Sequence, residues 1–213
     1  MQLGPVVLSQ VAADYGLEES YLERISEQDS KEAAILEKLQ EMLPRTGDDK
    51  IASIVFHGVF GENFQTEHSP SWFNPNEAAQ VFYYVNELYR LGLTESDIGI
   101  ITPYKAQTKQ LIELFKEAEF NLPKIGTVEE FQGQEFNVII LSTVRSNKKY
   151  LASDIKYTMG FISSPRRLNV SITRAKALMI IVGNPQLLSV DRCWRSVIKY
   201  CTDKGSFVGS SAK

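Results

Sequence analysis

The sequence predicts an α/β protein with a doubly wound, mostly parallel sheet and helices on both of its faces. Four short segments are nearly continuous in Ile, Val and Leu, which is typical of strands buried on both faces of a parallel sheet. Longer amphipathic segments separate them, and this alternation implies right-handed crossovers between parallel strands. The predicted strands cover residues 51–57, 98–102, 137–144 and 177–183.

Cap and turn residues predict where the first helix of the sheet domain begins and ends. Asn74 suits the N-cap, Pro75 the first turn, and Glu77 the acidic position of a capping box. Gly92 is expected to end the helix. The aromatic run 81–84 on this helix is expected to be core and not a base-stacking surface, because the helix faces the sheet.

Two further helices are predicted at 104–120 and 191–205 from apolar residues at helical spacing. Cys193 and Cys201 both fall in the last helix, about 12 Å apart along its axis, which is too far for a disulfide. A reducing, intracellular compartment fits these cysteines best. No metal site is expected, because neither of the two histidines lies near the cysteines in the sequence.

The two ends of the chain are predicted to lie outside the sheet domain or at its end. Residues 1–50 are predicted as an N-terminal helical segment that contains an amphipathic helix at 30–43. The sheet domain is predicted to cover 51–209, followed by a tail at 210–213. The Gly- and Ser-containing stretch 205–213 is expected to fray.

The composition is that of an ordinary globular domain. The chain has 213 residues, of which 43% are apolar and 10% aromatic, and its formal net charge is −3. This charge gives no global sign of a nucleic-acid or membrane partner, so any phosphate binding must come from a local patch. No apolar run reaches the roughly 18–20 residues that span a bilayer.

The unusual residues of the sequence follow the predicted strands. "TPY" comes after the second strand, "VRSN" after the third and "GNP" after the fourth. In doubly wound sheets, ligands bind at the carboxyl ends of the strands. The polar string "TVEEFQGQE" (127–135) suits neither a helix nor a strand, since Gly133 interrupts it. We interpret it as a hinge that couples two polar ligands.

Three strings together carry a family resemblance: "IITPYKAQ" (100–107), "GTVEEFQGQE" (126–135) and "RRLNVSITRAK" (166–176). They resemble motifs IV, V and VI of superfamily 1 helicases of the up-frameshift type, which move 5′ to 3′ on RNA. The run "VEEFQGQEFNVIILSTVRSN" and the earlier "SPSWFNPNEA" look most like the Armitage and Moloney-leukaemia-virus-ten branch. The resemblance implies that 51–209 is the second RecA-like domain of an ATP-dependent RNA helicase.

Candidate ATP-binding residues lie in these motifs. Arg174 suits an arginine finger, because its planar guanidinium stays charged and bonds phosphate bidentately. Gly133 permits a close backbone approach to a nucleotide, and the resemblance implies that Glu135 accepts the ribose hydroxyls. The opening "QLGP" looks like the tail of motif III, whose glutamine, here Gln2, senses the γ-phosphate. A surface arginine and a solvated loop acid are the alternatives for Arg174 and Glu135.

The residues predicted to contact RNA lie at strand ends or in motif VI. They are Thr102, Pro103, Tyr104, Thr127, Val128 and Asn169. Hydroxyl and backbone N–H groups at strand ends bind phosphates and position a strand without reading its sequence. Tyr104 either stacks on a base or packs against its own helix, and the sequence leaves both open.

Local positive charge is predicted from five basic residues. They either contact nucleic acid or form a solvated face. They are Arg145, Lys148, Lys149, Arg166 and Arg167.

Two parts of such a motor are missing from the sequence. It contains no G-x-x-x-x-G-K-[ST] phosphate loop and no "DE" pair at a strand end. We therefore expect a fragment or alternative product that begins inside motif III, shares ATP and Mg²⁺ with a first RecA-like domain, and does not hydrolyse ATP alone. The family's "YRSHP"-like string is also absent from 25–51, which bears on nucleotide affinity.

The resemblance implies partners and a setting. They are single-stranded RNA, the first RecA-like domain and Argonaute- or Piwi-type silencing proteins, in cytoplasmic ribonucleoprotein granules. Two alternatives stay open. The chain could be a non-catalytic ribonucleoprotein interaction module that docks through helix 30–43 or loop 60–73. DNA could replace RNA as the track, because no residue reads a 2′-hydroxyl unambiguously.

Overall fold

The computed structural model describes residues 52–65, 71–146 and 164–210. Its strands are β1 (Ile54–Gly58), β2 (Phe64–Gln65), β3 (Trp72–Phe73), β4 (Ile98–Ile101), β5 (Lys124–Gly126), β6 (Phe136–Ser142), β7 (Ala175–Gly183) and β8 (Phe207–Gly209). Its helices are α1 (Pro75–Arg90), α2 (Lys105–Glu117), α3 (Pro165–Ile172), α4 (Pro185–Leu188) and α5 (Arg192–Asp203), with a 3-10 turn at Val128–Phe131. No helix in these described ranges is long and apolar enough to cross a membrane.

Six strands form one sheet in the order β5–β4–β6–β7–β1–β8, and all five pairings are parallel. The four predicted strands are its four central members, β1, β4, β6 and β7. A separate antiparallel pair, β2 with β3, lies outside this sheet. The doubly wound, RecA-like α/β fold is therefore confirmed, and the carboxyl ends of all six parallel strands meet at one edge.

Apolar side chains are buried on both faces of the sheet. Along β6, Ile140 packs on the face covered by α1 and α2, where Leu88 and Phe115 are fully buried. Its neighbour Ile139 points to the opposite face, where Trp194 of α5 is fully buried. Successive residues of a strand point to opposite faces, so a strand covered on both sides reads as a continuous apolar run.

The predicted ends of α1 are confirmed, but one capping role is wrong. The Asn74 side chain accepts hydrogen bonds from the backbone N–H of Asn76 and of Glu77, at 3.1 and 3.2 Å. Gly92, with φ of +83°, follows the helix. In a capping box, the Glu77 side chain would accept from the backbone N–H of Asn74. That N–H instead donates to Gln107 at 2.8 Å, and Glu77 turns towards β6.

The two edge strands of the sheet, β5 and β8, were not predicted. The expected fraying of 205–213 is wrong for 207–209, because β8 pairs in parallel with β1 and Phe207 stacks on Phe56 at 5.4 Å between ring centroids. Each edge strand has three residues, too few to show a period.

Several predictions fall on residues outside the described ranges and stay predictions. They concern the segment 1–50 with helix 30–43 and Gln2, the basic pair Lys148 and Lys149, and the last tail residues 211–213.

Candidate functional site

The residues predicted to bind nucleotide meet at the amino ends of β6 and β7. Arg174 lies one residue before β7, and its Nη1 donates to the carbonyl oxygen of Gln134 at 3.3 Å. In return, the backbone N–H of Phe136 donates to the carbonyl oxygen of Arg174 at 2.9 Å. Gly133 and Glu135 flank Gln134 in the same exposed loop. The fold thus brings Gly133, Glu135 and Arg174 into one place, which we call the nucleotide cluster.

Among the residues that the structure describes, the guanidinium of Arg174 donates to neutral oxygens. Its Nε donates to the carbonyl of Val170 at 3.1 Å, and its Nη2 to the hydroxyl of Thr173 at 2.9 Å. A hydrogen bond to a charged phosphate oxygen is roughly twice as strong as one to a neutral acceptor. Arg174 is half-buried, so a phosphate that approaches this end of the sheet competes well for the guanidinium.

The residues predicted to contact RNA lie at the opposite edge of the sheet, except Asn169. At the carboxyl ends of β4 and β5, the N–H of Thr102 donates to the carbonyl of Gly126 at 3.0 Å. Thr102 is fully buried, and its hydroxyl has no hydrogen-bond partner in the described part of the chain. The side chain of Val128 is also buried. A ligand contact at Val128 would therefore have to use the main chain, whereas at Thr102 the side chain is buried and the main-chain N–H already donates to Gly126.

The backbone of Thr127 is hydrogen-bonded within its own turn. Its backbone N–H donates to the Glu130 carboxylate at 3.0 Å, so this group is already engaged within the turn. We call Thr102–Tyr104 together with Thr127 and Val128 the strand-end cluster.

Tyr104 and Asn169 have more enclosed positions than the sequence suggested. Tyr104 stands at the N-cap of α2, and burial raises the pKa of its phenol, which nearby Arg145 opposes. Tyr104 is half-buried, so part of its ring is packed against the protein and part stays open to solvent. Asn169 lies in the middle of α3, and its Oδ1 is buried without a partner among the described residues. Pro103 is half-buried at the start of the turn.

One short segment, 126–135, joins the two clusters. It begins at the carboxyl end of β5 and ends at the amino end of β6, so it passes from one edge of the sheet to the other. Phe131 anchors its 3-10 turn in the core, fully buried. Arg167 of α3 holds the turn from outside through an ion pair with Glu129 at 2.9 Å. The predicted hinge is thus a chain segment in contact with both candidate ligand sites.

The predicted basic patch is only partly at the surface. Arg166 and Arg167 are exposed. Arg145, however, is 2% exposed, and its guanidinium lies over the ring of Trp72 at 4.3 Å from the centroid. The prediction of Arg145 as a surface charge is therefore wrong, because cation–π stacking inside the protein holds it.

A buried polar network beside the strand-end cluster was missed by sequence reasoning. Glu77 is fully buried and accepts hydrogen bonds from the Ser142 hydroxyl at 2.8 Å and the Val144 N–H at 2.7 Å. Gln107 donates to the Ser142 hydroxyl at 3.1 Å and to the Asn74 carbonyl at 3.2 Å. Burial raises the pKa of Glu77 to about 7, although the hydrogen bonds oppose this shift.

The position of Glu77 along its helix is a sequence signal for this network. Glu77 continues the buried helical stripe of Val81, Tyr84 and Leu88, at the spacing that places all four on one face. A polar residue on such a stripe must face the core and therefore needs partners there.

Comparison with known proteins assigns the chain to a family. A family model described as an AAA domain matches residues 17–186. The chain belongs to this AAA-domain family. Within it, the chain falls in the Armitage and Mov10-like branch, which confirms the resemblance that the motifs indicate.

Three relatives illustrate the branch and its neighbours. The probable RNA helicase armi of Drosophila melanogaster is 46% identical over 186 residues, which cover 87% of this chain and 16% of armi. RNA helicase Mov10l1 of Homo sapiens is 36% identical, over 98% of this chain and 21% of that protein. The regulator of nonsense transcripts 1 homolog of Neurospora crassa is 30% identical, over 97% and 22%. The chain thus spans between 16% and 22% of the length of these relatives.

The match to Mov10l1 is longer than this chain. It extends over 258 residues, whereas the chain has 213, so at least 45 positions (258 − 213) have no counterpart here. The match to armi covers 87% of the chain in 186 residues, which leaves almost no room for gaps.

Proposed function

We propose that this chain is the second motor domain of an ATP-dependent RNA helicase that moves 5′ to 3′. The observation that carries the proposal is the course of segment 126–135, which joins the nucleotide cluster to the strand-end cluster. A motor must couple a change at its nucleotide to a change at its track, and a single segment in contact with both sites provides that coupling. The names of armi and Mov10l1 as RNA helicases support RNA as the track.

The chain's contribution to ATP hydrolysis is electrostatic. Charge develops on the γ-phosphoryl oxygens in the transition state, and a positioned arginine stabilises it. Arg174 would supply this charge, Glu135 would accept the ribose hydroxyls, and the open space at Gly133 would admit the nucleotide. Mg²⁺, held by the first RecA-like domain, would neutralise charge on the β- and γ-phosphates. The chain alone would not hydrolyse ATP.

The strand-end cluster would position RNA without reading its bases. The main-chain N–H of Val128 and the hydroxyl of Thr127 would contact phosphates. Thr102, whose N–H donates to Gly126, would support this turn together with Pro103 and Tyr104, and Asn169 would contribute separately from α3. From the branch, we further propose a role in RNA silencing of the piwi-interacting RNA type, with Argonaute- or Piwi-type partners in cytoplasmic granules.

The substitution Arg174→Ala tests the proposal in a complete motor that contains the first RecA-like domain. We expect ATP turnover to fall at least about 10³-fold, the usual effect of removing an arginine finger, while RNA binding persists. Arg195→Ala is the control, because Arg195 also donates to backbone carbonyls but lies on α5. Unchanged turnover in Arg174→Ala would refute the role of the nucleotide cluster.

A further inference from the structure

The outer face of α2 carries a row of lysines beside the strand-end cluster. Lys105, Lys109 and Lys116 line an open groove of about 470 Å³, and Thr127 and Glu130 also line it. Lys105 directly follows Tyr104 in the chain. The groove therefore opens next to both strand-end segments and continues along the helix. We call it the α2 groove.

The lysines of the α2 groove are available to a ligand. The side chain of Lys109 is 78% exposed, and its pair with Glu113 is long, at 3.7 Å. Exposed pairs of this kind contribute at most about 1 kcal/mol, so a phosphate can replace the carboxylate. Lys105 and Lys116 form no ion pair with any residue that the structure describes.

The acidic residues of the groove do not neutralise the positive charge of its lysines. Three lysines line the groove against two glutamates, Glu113 and Glu130, in a chain whose formal net charge is −3. The Glu130 carboxylate is turned back to its own turn, where it accepts the Thr127 N–H. A local excess of positive charge in an acidic chain is what phosphate binding requires.

The spacing of the row suits an extended polyanion. At the rise of an α-helix, Lys105 and Lys109 are about 6 Å apart along the axis, and Lys105 and Lys116 about 16 Å apart. The lining contains no aromatic side chain among the described residues, so the groove itself offers no ring on which a base could stack. The contact offered is therefore to phosphates alone.

We propose that the α2 groove binds the sugar–phosphate backbone of single-stranded RNA, and so extends the track beyond the strand-end cluster. This inference rests on the proposed function and adds Lys109 and Lys116, which lie outside the three motif strings, to the contact region. Its signature is salt dependence, because each phosphate neutralised on a single strand contributes about −0.7 to the slope of log Kobs against log salt concentration.

Two matched double variants of the 213-residue chain test the proposal. Lys109→Gln with Lys116→Gln removes two exposed cations from the groove, and Gln preserves helix propensity. The control, Arg90→Gln with Lys199→Gln, removes two exposed cations from α1 and α5. Lys199 matches Lys109 because it also pairs with an acid four residues on, Asp203, and is 74% exposed. Fluorescence anisotropy with an oligouridine over a KCl series gives the slopes, and circular dichroism confirms folding.

The groove variant is expected to flatten the slope by about 1.4, twice the contribution of one phosphate, and the control to leave it unchanged. Lys116→Gln alone should give about half of that effect. If the wild-type chain binds RNA and all variants share its slope, the groove proposal is overturned while the motor proposal stands. An equally flattened slope in the control also overturns the groove proposal, since the loss of any two surface cations would then explain the effect. A wild-type chain that binds no RNA at low salt overturns both.

Discussion

Gly133 lies in the left-handed region of backbone conformation, with φ of +77°. Residues with a Cβ adopt this region only under strain. A Cβ at this position would meet no heavy atom within 4 Å, so the requirement for glycine comes from the backbone and not from crowding. The next residue, Gln134, offers the carbonyl to which Arg174 donates. A strained backbone here would therefore disturb the nucleotide cluster.

The substitution Gly133→Ala separates this local role from stability. We expect it to lower the free energy of unfolding by about 1 kcal/mol and to weaken ATP binding in the complete motor. Gly205→Ala is the matched control, because Gly205 has φ of +72° and follows α5. Urea unfolding should show a similar loss in both variants, while ATP affinity should fall only in Gly133→Ala. Equal ATP affinities would remove Gly133 from the nucleotide site.

At the scale of elements, α1 holds the end of β6 in a strained conformation. Val144 follows β6 with φ of +71°, which is rare for a β-branched residue, and it is fully buried. Its N–H donates to Glu77 at 2.7 Å, and its carbonyl accepts from the Asn74 side chain at 3.1 Å. Such strain, about 1–3 kcal/mol, persists only where the surroundings impose it. The first turn of α1 thus fixes the path of the chain into Arg145.

The buried Glu77 makes the stability of this element depend on pH. Its pKa is raised from 4.5 to about 7 in the folded protein. Between these values the unfolded chain releases the proton and the folded chain keeps it, so stability falls as pH rises, by about 3 kcal/mol in total. In Glu77→Gln this fall should disappear from urea unfolding measured between pH 4.5 and pH 8. The exposed Glu113→Gln should keep it, and an identical pH slope in Glu77→Gln and wild type would contradict the assignment.

The sequence predicted the elements whose local residue pattern is complete in itself, such as a strand that is apolar throughout or a helix with its own N-cap. The four central strands were predictable because both faces are covered, and α1 because Asn74 caps it. The edge strands β5 and β8 are too short to show a period. The rule that ligands bind at carboxyl ends found the strand-end cluster. It could not find Arg174 at the amino end of β7, which only the family resemblance marked. The burial of Arg145 depends on Trp72, far away in the sequence.

At the scale of the whole molecule, one sheet carries two candidate sites at opposite edges. The nucleotide cluster lies at the amino ends of β6 and β7, and the strand-end cluster at the carboxyl ends of β4 and β5. The α2 groove extends the second site, and segment 126–135 connects it to the first. The chain spans 16% of armi and 21% of Mov10l1. We therefore propose that a separate first domain supplies the phosphate loop and the metal.

The most direct test is calorimetry of the 213-residue chain with single-stranded RNA and with Mg²⁺–ATP. It shows whether the chain binds RNA by itself but needs a first motor domain to bind ATP. We expect RNA binding that weakens with salt, no measurable ATP binding and no hydrolysis by the chain alone. Addition of the first motor domain of a Mov10-like relative should then produce ATP turnover that depends on Arg174. Tight ATP binding or turnover by the isolated chain, unchanged in Arg174→Ala, would refute the proposed function and place the nucleotide elsewhere.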